Sequence, residues 1–168
     1  ANSMNTITAK LIKDYGPERV IQLAHALGIE SEIPNVPSIA LGAAQLTVRE
    51  MTAANAALVN GGVYIKPTFI ARIEDKFGNV IWSPEPVIRQ GLDKRTAATV
   101  VEMMKGVVDG AYNVETGKRM GTGIRLRMDL ESRDYDGIKV PMAGKTGTTQ
   151  NHTDGWFMGL TPELVTGI

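Results

Sequence analysis

The stretch from 138 to 168 most constrains what this chain can fold into. There "IKVPMAGKTGTT", "DGWFMGLTP" and "ELVTGI" follow one another as short, glycine-broken segments of strand character. They read as successive strands, and "AGKTGTTQNHTDGWFMG" (143–159) reads as a hairpin with Lys145 at its edge. In the period-two geometry of a strand, Lys145 and Gly147 point one way and Thr146 and Thr148 the other. Glycine lets the backbone twist and permits a ligand or another backbone to approach closely. Trp156 and Phe157 should alternate between the two faces and fill core.

Upstream the period changes. "TITAKLIKDYG" places Ile7, Leu11, Ile12 and Tyr15 on one side at helical spacing, and "GPERVIQLAHALGI" follows with Pro17 in a first-turn position and Gly28 as a stop. In "LTVREMTAANAALVNGG", Thr47 and Glu50 have capping-box spacing, Met51, Ala54 and Leu58 share a face, and Gly61-Gly62 ends the helix. Alternation then takes over in "VYIKPTFIARIEDKFGNVIW", a hairpin of Phe69–Glu74 and Val80–Trp82 around "DKFGN". "SPEPVIRQGL" reads as a link. Asp93 can cap a helix whose apolar face is Val100, Met103, Met104 and Val107, and "DGAYNVETGKRMGTG" reads as a loop in which Glu115, Lys118 and Arg119 are solvated. The fold class predicted is α/β of the α+β type, an antiparallel sheet flanked by helices. The last strand runs to Ile168 with no closing element, which suggests part of a larger domain.

At 168 residues and 43% hydrophobic content the chain is long enough for one domain with a real core. Eighteen Lys plus Arg balance eighteen Asp plus Glu, which argues against nucleic acid or an anionic membrane surface as the main partner. The absence of cysteine excludes disulfides, thiolate metal sites and a Cys nucleophile. No apolar run approaches the roughly 20 residues of a membrane helix, and no signal segment opens the chain.

The triplet Gly144-Lys145-Thr146 raises the question of phosphate binding. A P-loop needs a glycine five places before the Gly-Lys pair, because that residue starts the loop whose N–H groups wrap the phosphates. Here that place holds Lys139; for Gly117-Lys118 it holds Tyr112, and Arg119 replaces the required hydroxyl. The residues after Lys145 are strand-like instead of opening a helix, so nucleotide binding is set aside. Two readings remain. An exposed strand edge can pair with an extended peptide beside the fixed charge of Lys145, while the Thr146 and Thr148 hydroxyls bind a carboxylate. The other reading is a protective edge lysine among β-favouring threonines.

The string "KTGTT" followed by "DGWFMGLTP" resembles the K-T-G motif of the transpeptidase domain of penicillin-binding proteins. "ANSMN" looks like the family's S-x-N motif in Ser3-Met4-Asn5. "LGAAQLTVREMTAANAALVNGGVYIKP", "MMKGVV" and "MGTGIRLR" are similar to segments of the bifunctional class A type. The resemblance covers nearly the whole chain. It implies a penicillin-binding protein/β-lactamase-like transpeptidase fold, with residues 1–168 a partial domain incomplete at both ends. It also implies a D,D-transpeptidase that cross-links peptidoglycan through a serine acyl-enzyme formed on a stem peptide ending in D-Ala-D-Ala and is trapped by β-lactams. Acyl transfer needs an activated nucleophile, an oxyanion hole and groups that hold the peptide. By resemblance Lys145 stabilises charge, Ser3 relays a proton to the leaving amine, and Asn5 bonds the substrate amide. Thr146, Gly147, Thr148 and Thr149 line the substrate site, with the Thr148 N–H as one oxyanion donor. No metal or organic cofactor is implied. A glycosyltransferase domain and a membrane anchor, with an extracytoplasmic or periplasmic location, are implied for the full-length protein.

One motif is missing. The family joins its nucleophile and base in S-x-x-K, but Ser3, Ser31, Ser38, Ser83 and Ser132 are followed three places later by Thr6, Pro34, Leu41, Pro86 and Tyr135, and no threonine has lysine at that spacing. The nucleophile is therefore expected outside these residues, and this polypeptide alone is expected to resist acylation. A β-lactamase of class A would need a glutamate with asparagine four places on, and no Glu here has one. A non-catalytic relative that binds peptidoglycan peptides or partner proteins through the same strand edge is the alternative. His25, between alanines on a helix, reads as a packing residue, His152 as a solvated turn residue, and the Met103-Met104 pair as core filler.

Overall fold

In the computed structural model, the structure describes residues 3–128, 135–148 and 154–168. Thr149 and His152 lie outside these described residues. Two short helices open the chain, α1 (Asn5–Tyr15) and α2 (Pro17–Ala26), followed by a 3-10 turn at Pro37–Leu41 and by α3 (Val48–Val59). Four short strands come next: β1 (Val63–Ile65), β2 (Ile73–Glu74), β3 (Val80–Trp82) and β4 (Ile88–Gln90). The long helix α4 (Lys94–Asp109) leads to β5 (Ala111–Asn113), β6 (Lys118–Met120) and a 3-10 turn at Ile124–Arg127. The chain ends in β7 (Ala143–Thr148), β8 (Gly155–Leu160) and β9 (Val165–Gly167).

The caps read from the sequence are present. The Thr47 hydroxyl accepts from the Glu50 N–H at 3.2 Å while the Glu50 carboxylate accepts from the Thr47 N–H at 3.1 Å, closing a capping box on α3. Asp93 accepts from the Thr96 N–H at 3.0 Å at the start of α4.

Every strand pairing among the described residues is antiparallel, and the sheets are small: β1–β4, β2–β3 and β5–β6 ribbons and the three-stranded β7–β8–β9. Three sequence expectations are corrected here. The segment 109–123 is not a plain loop, because Tyr112 pairs with Arg119 in the β5–β6 ribbon, and Arg119 donates to the Gly110 carbonyl at 2.8 Å. The link after Trp82 contains β4, which returns across the β2–β3 hairpin to pair with β1. The hairpin itself keeps its turn, but its first arm shortens to Ile73–Glu74, with a register shift there.

Two core clusters are formed among the described residues. One joins Leu27, Ile29, Ala53, Ala54, Ala57 and Tyr64; the other joins Ala143, Met158 and Leu160 with Val101, Met104, Trp156 and Val165. Met51 of α3 packs against both. Fully buried side chains such as Leu160 and Val108 each contribute about 1.5–3 kcal/mol by leaving water. The apolar face read on α1 stays largely in solvent: Ile12 is buried, whereas Ile7, Leu11 and Tyr15 are half exposed. Met103, expected in the core, is also exposed, because the buried side of α4 runs through Ala97, Val107 and Val108.

Tyr64 shows how the first cluster closes. Gly28, with φ +105°, follows α2, and a Cβ there would lie 2.0 Å from the Tyr64 ring, so this turn and this ring require glycine. The Arg89 guanidinium covers the ring at 4.7 Å and donates to the His25 and Ala26 carbonyls at 2.6 and 3.0 Å, satisfying the C-terminal end of α2. His25 itself donates from Nδ1 to the Ile29 carbonyl at 2.7 Å, which fits its packing role.

Candidate active site at the edge of β7

In the terminal sheet β7 has one partner, β8, and its other edge is unpaired among the described residues. This is the edge placement the sequence predicted for Lys145. Residues directly opposite in an antiparallel pair share a face. Ala143, Lys145 and Gly147 oppose Leu160, Met158 and Trp156, which puts Lys145 on the face covered by α3 and α4. Thr146 opposes Phe157 on the other face, and the Phe157 ring covers Gly144, where a Cβ would lie 3.0 Å from it. At Gly147 the space a Cβ would take is bordered by the Trp156 Cβ at 3.1 Å. What approaches Gly147 closely is therefore the neighbouring strand.

The Lys145 ammonium donates to the Ser3 hydroxyl at 3.3 Å and to the Thr146 carbonyl at 2.6 Å. Ser3 and Lys145 are 142 positions apart, so the fold delivers the contact. Ser3 precedes α1, whose N-cap is Met4 with no side-chain cap bond, and the serine hydroxyl is turned to the lysine instead. Asn5 is the exposed first residue of α1. Burial lowers the Lys145 pKa from its ordinary value, because the ammonium loses water. Lys145 still reaches solvent, so the group is partly desolvated and accessible at once.

Thr148 is exposed at the end of β7, opposite Gly155, and Thr146 is half-buried. The Thr146 hydroxyl is hydrogen-bonded to that of Thr122 at 2.8 Å. The structure thus brings Ser3, Lys145, Thr146 and Thr122 to one edge. Sequence reading missed Thr122, which lies in a segment expected to be a loop; its signal is the glycine on either side of it, since paired glycines mark a close backbone approach. Arg127 was missed as well. It donates to Asp109 at 2.8 Å and to the Ile138 and Val140 carbonyls at 2.6 Å each, which ties the end of α4 to the segment entering β7. An anchored lysine beside a serine hydroxyl, with two threonine hydroxyls along the same strand, can bind an anionic extended ligand and stabilise developing negative charge.

Residues 1–165 match the family model for the penicillin binding protein transpeptidase domain. The chain is 32% identical to penicillin-binding protein 2D of Bacillus subtilis (strain 168) over 171 residues, covering 100% of this chain and 22% of that protein. It is also 32% identical to penicillin-binding protein 1A of Aquifex aeolicus (strain VF5) over 169 residues, covering 100% of this chain and 20% of that protein. The chain therefore spans about a fifth of the length of these curated relatives. Among solved structures it is similar to penicillin-binding protein 1A from Haemophilus influenzae, with a TM-score of 0.83 at 23% identity, covering 99% of this chain and 28% of that one. It also resembles the PonA1 protein from Mycobacterium tuberculosis in complex with penicillin V, with a TM-score of 0.68 at 25% identity, covering 95% and 42% of the two chains.

Proposed function

Since the chain belongs to the penicillin-binding protein transpeptidase family, we propose that it forms part of a serine-type D,D-transpeptidase acting on peptidoglycan stem peptides that end in D-Ala-D-Ala. The observation that carries this reading is the contact between Lys145 and Ser3, two motif residues joined across the fold at an open strand edge. Lys145 stabilises the charge that builds up as the acyl-enzyme forms, and its desolvation strengthens that interaction. Ser3 relays a proton to the departing amine, and Asn5 holds the substrate amide. Thr146 and Thr148 take the ligand carboxylate, Gly147 lies on the strand edge that runs along the peptide, Thr149 of the same motif adds to the substrate site, and the Thr148 N–H is one oxyanion donor.

The nucleophile and its base are proposed to lie outside these 168 residues, because no Ser or Thr here has lysine three places on. Residues 1–168 are thus part of a transpeptidase domain. The full-length protein would carry a membrane anchor and act on the outer side of the cytoplasmic membrane; among the described residues no helix is long and apolar enough to cross a membrane. β-Lactams, as mimics of the acyl donor, would bind covalently.

Covalent labelling of the intact protein with a fluorescent penicillin, followed by mass spectrometry of the labelled peptide, tests this. The expected result is a single acyl-serine in an upstream Ser-x-x-Lys. An intact, folded protein that takes no label would leave peptide binding by a non-catalytic relative as the function. A label on Ser3 would overturn the relay role.

A further inference from the structure

Thr122 and Thr146 come from separate segments, 24 positions apart, and meet hydroxyl to hydroxyl at 2.8 Å. Nothing in the K-T-G motif supplies Thr122; the fold does. Its loop is seated on the end of α4. The Gly123 N–H donates to the Val107 carbonyl at 2.9 Å, and Ile124 and Leu126 donate back to Gly121 and Gly123 at 3.2 and 3.0 Å. A Cβ at Gly121 would stand 2.5 Å from the Val107 oxygen and 2.8 Å from that of Gly106, so only glycine lets the loop lie this close. A Cβ at Gly123 would be 3.4 Å from the Val107 oxygen and 3.7 Å from the Phe157 ring, which places the loop between α4 and the Thr146 face of the sheet. Thr122 is exposed, and it is held from both sides.

A hydroxyl has one hydrogen, free to rotate, and can accept twice. A carboxylate only accepts. When Thr146 binds a ligand carboxylate its single hydrogen must point to that ligand, so the bond with Thr122 persists only if Thr122 becomes the donor. Resting on the acyl-transfer reading above, we infer that Thr122 is a positioning residue: its hydroxyl donates to Thr146 and so turns the Thr146 hydrogen toward the carboxylate of the incoming ligand. The site is thereby pre-set for ligands of one chemical class, extended acyl donors with a free carboxylate beside the scissile amide. Without Thr122 the Thr146 hydrogen has several orientations, and the ligand must order it on arrival. Thr122 touches neither the nucleophile nor the reacting carbonyl.

The test compares acylation of the intact protein by benzylpenicillin and by its neutral methyl ester. Thr122→Val keeps the shape and removes the hydroxyl. It should lower the second-order acylation rate constant for the acid by up to about tenfold, the upper end of what one neutral hydrogen bond is worth. For the ester it should change the rate by less than about twofold, because the charged acceptor is gone. Thr122→Ser, which restores a hydroxyl, should recover the acid rate to within about twofold. Wild-type acylation of Thr122→Val by the acid overturns the inference. So does an equal loss for acid and ester, which would mark a purely structural residue, and so does failure of serine to rescue. Should wild type itself take neither ligand, the acyl-transfer reading falls first and this inference with it, a result distinct from all the others.

Discussion

Glu50 and Lys145 are charged side chains that lose water to different degrees, one buried and one partly desolvated at the surface, and the molecule treats them in opposite ways. Glu50, on α3, is buried, and its carboxylate accepts five hydrogen bonds: from the Glu30 and Ser31 N–H groups at 2.9 and 2.7 Å, the Ser31 hydroxyl at 2.8 Å, and the Thr47 N–H and hydroxyl at 3.1 and 2.7 Å. These donors, with the Thr47 hydroxyl foremost, outweigh burial and hold its pKa at about 2. Among the described residues Lys145 has one hydroxyl and one carbonyl as acceptors, and burial lowers its pKa, so its charged form is disfavoured. A buried charge whose hydrogen bonds are complete pins two segments together. A partly desolvated charge at an open edge is held ready for a ligand.

The comparison breaks most sharply under substitution. In the intact protein Lys145→Met should lower acylation by β-lactam at least about a hundredfold, the usual cost of removing a group that stabilises developing charge. Its melting temperature should stay level or rise, since a partly desolvated charge has been removed. Glu50→Gln should do the reverse. It costs about 2–3 kcal/mol of stability, because an amide cannot accept from all five donors and leaves some of them unpaired in the interior, while acylation by the molecules still folded stays within about threefold of wild type. Thermal denaturation and labelling kinetics read side by side decide it; a melting-point loss for Lys145→Met as large as for Glu50→Gln would erase the distinction.

pH sharpens the Glu50 side. Its folded-state pKa, about 2, lies below the ordinary 4.5, so the folded state holds fewer protons than the unfolded one between these values. The stability Glu50 contributes is therefore complete above pH 4.5 and is lost as pH falls from there toward 2. Glu50→Gln should flatten that part of the stability curve. A wild-type curve already flat from pH 5 to 2.5 would show that the five donors do not favour the charged form.

How far the sequence revealed these two residues follows from the range of the forces involved. Thr47 and Glu50 were legible as a capping box, because both ends of that interaction lie within one helical turn. The bonds from Glu30 and Ser31 were not, since they arrive from a loop 19 and 20 positions away with no periodicity of its own. Lys145 was legible as an edge residue from strand alternation and glycine spacing, but its meeting with Ser3 required the resemblance, and Thr122 escaped both. The β5–β6 ribbon and β4 were missed for a related reason. Each strand has three residues, too few to display a period, and their pairing is fixed by tertiary neighbours.

The smallest effect expected supplies the baseline for the two charged residues. A stripe of Val100, Met103, Met104 and Val107 predicts Met103 on the apolar face of α4. The structure turns that stripe: Ala97 and Val108 are fully covered, Val101 and Met104 pack on the sheet, and Met103 remains 73% exposed. Adjacent residues on a helix differ by about 100° in direction, so when Met104 faces β7 and β8 its neighbour Met103 is carried round toward water. Met103→Ala should then change stability by less than about 0.5 kcal/mol, as surface substitutions do, and alanine's better helix propensity offsets part of any lost contact. Denaturant unfolding of the intact protein measures it. A loss of about 2 kcal/mol, the size expected for Glu50→Gln, would mean that Met103 is covered by another surface of the full protein, and that α4 carries a second buried face.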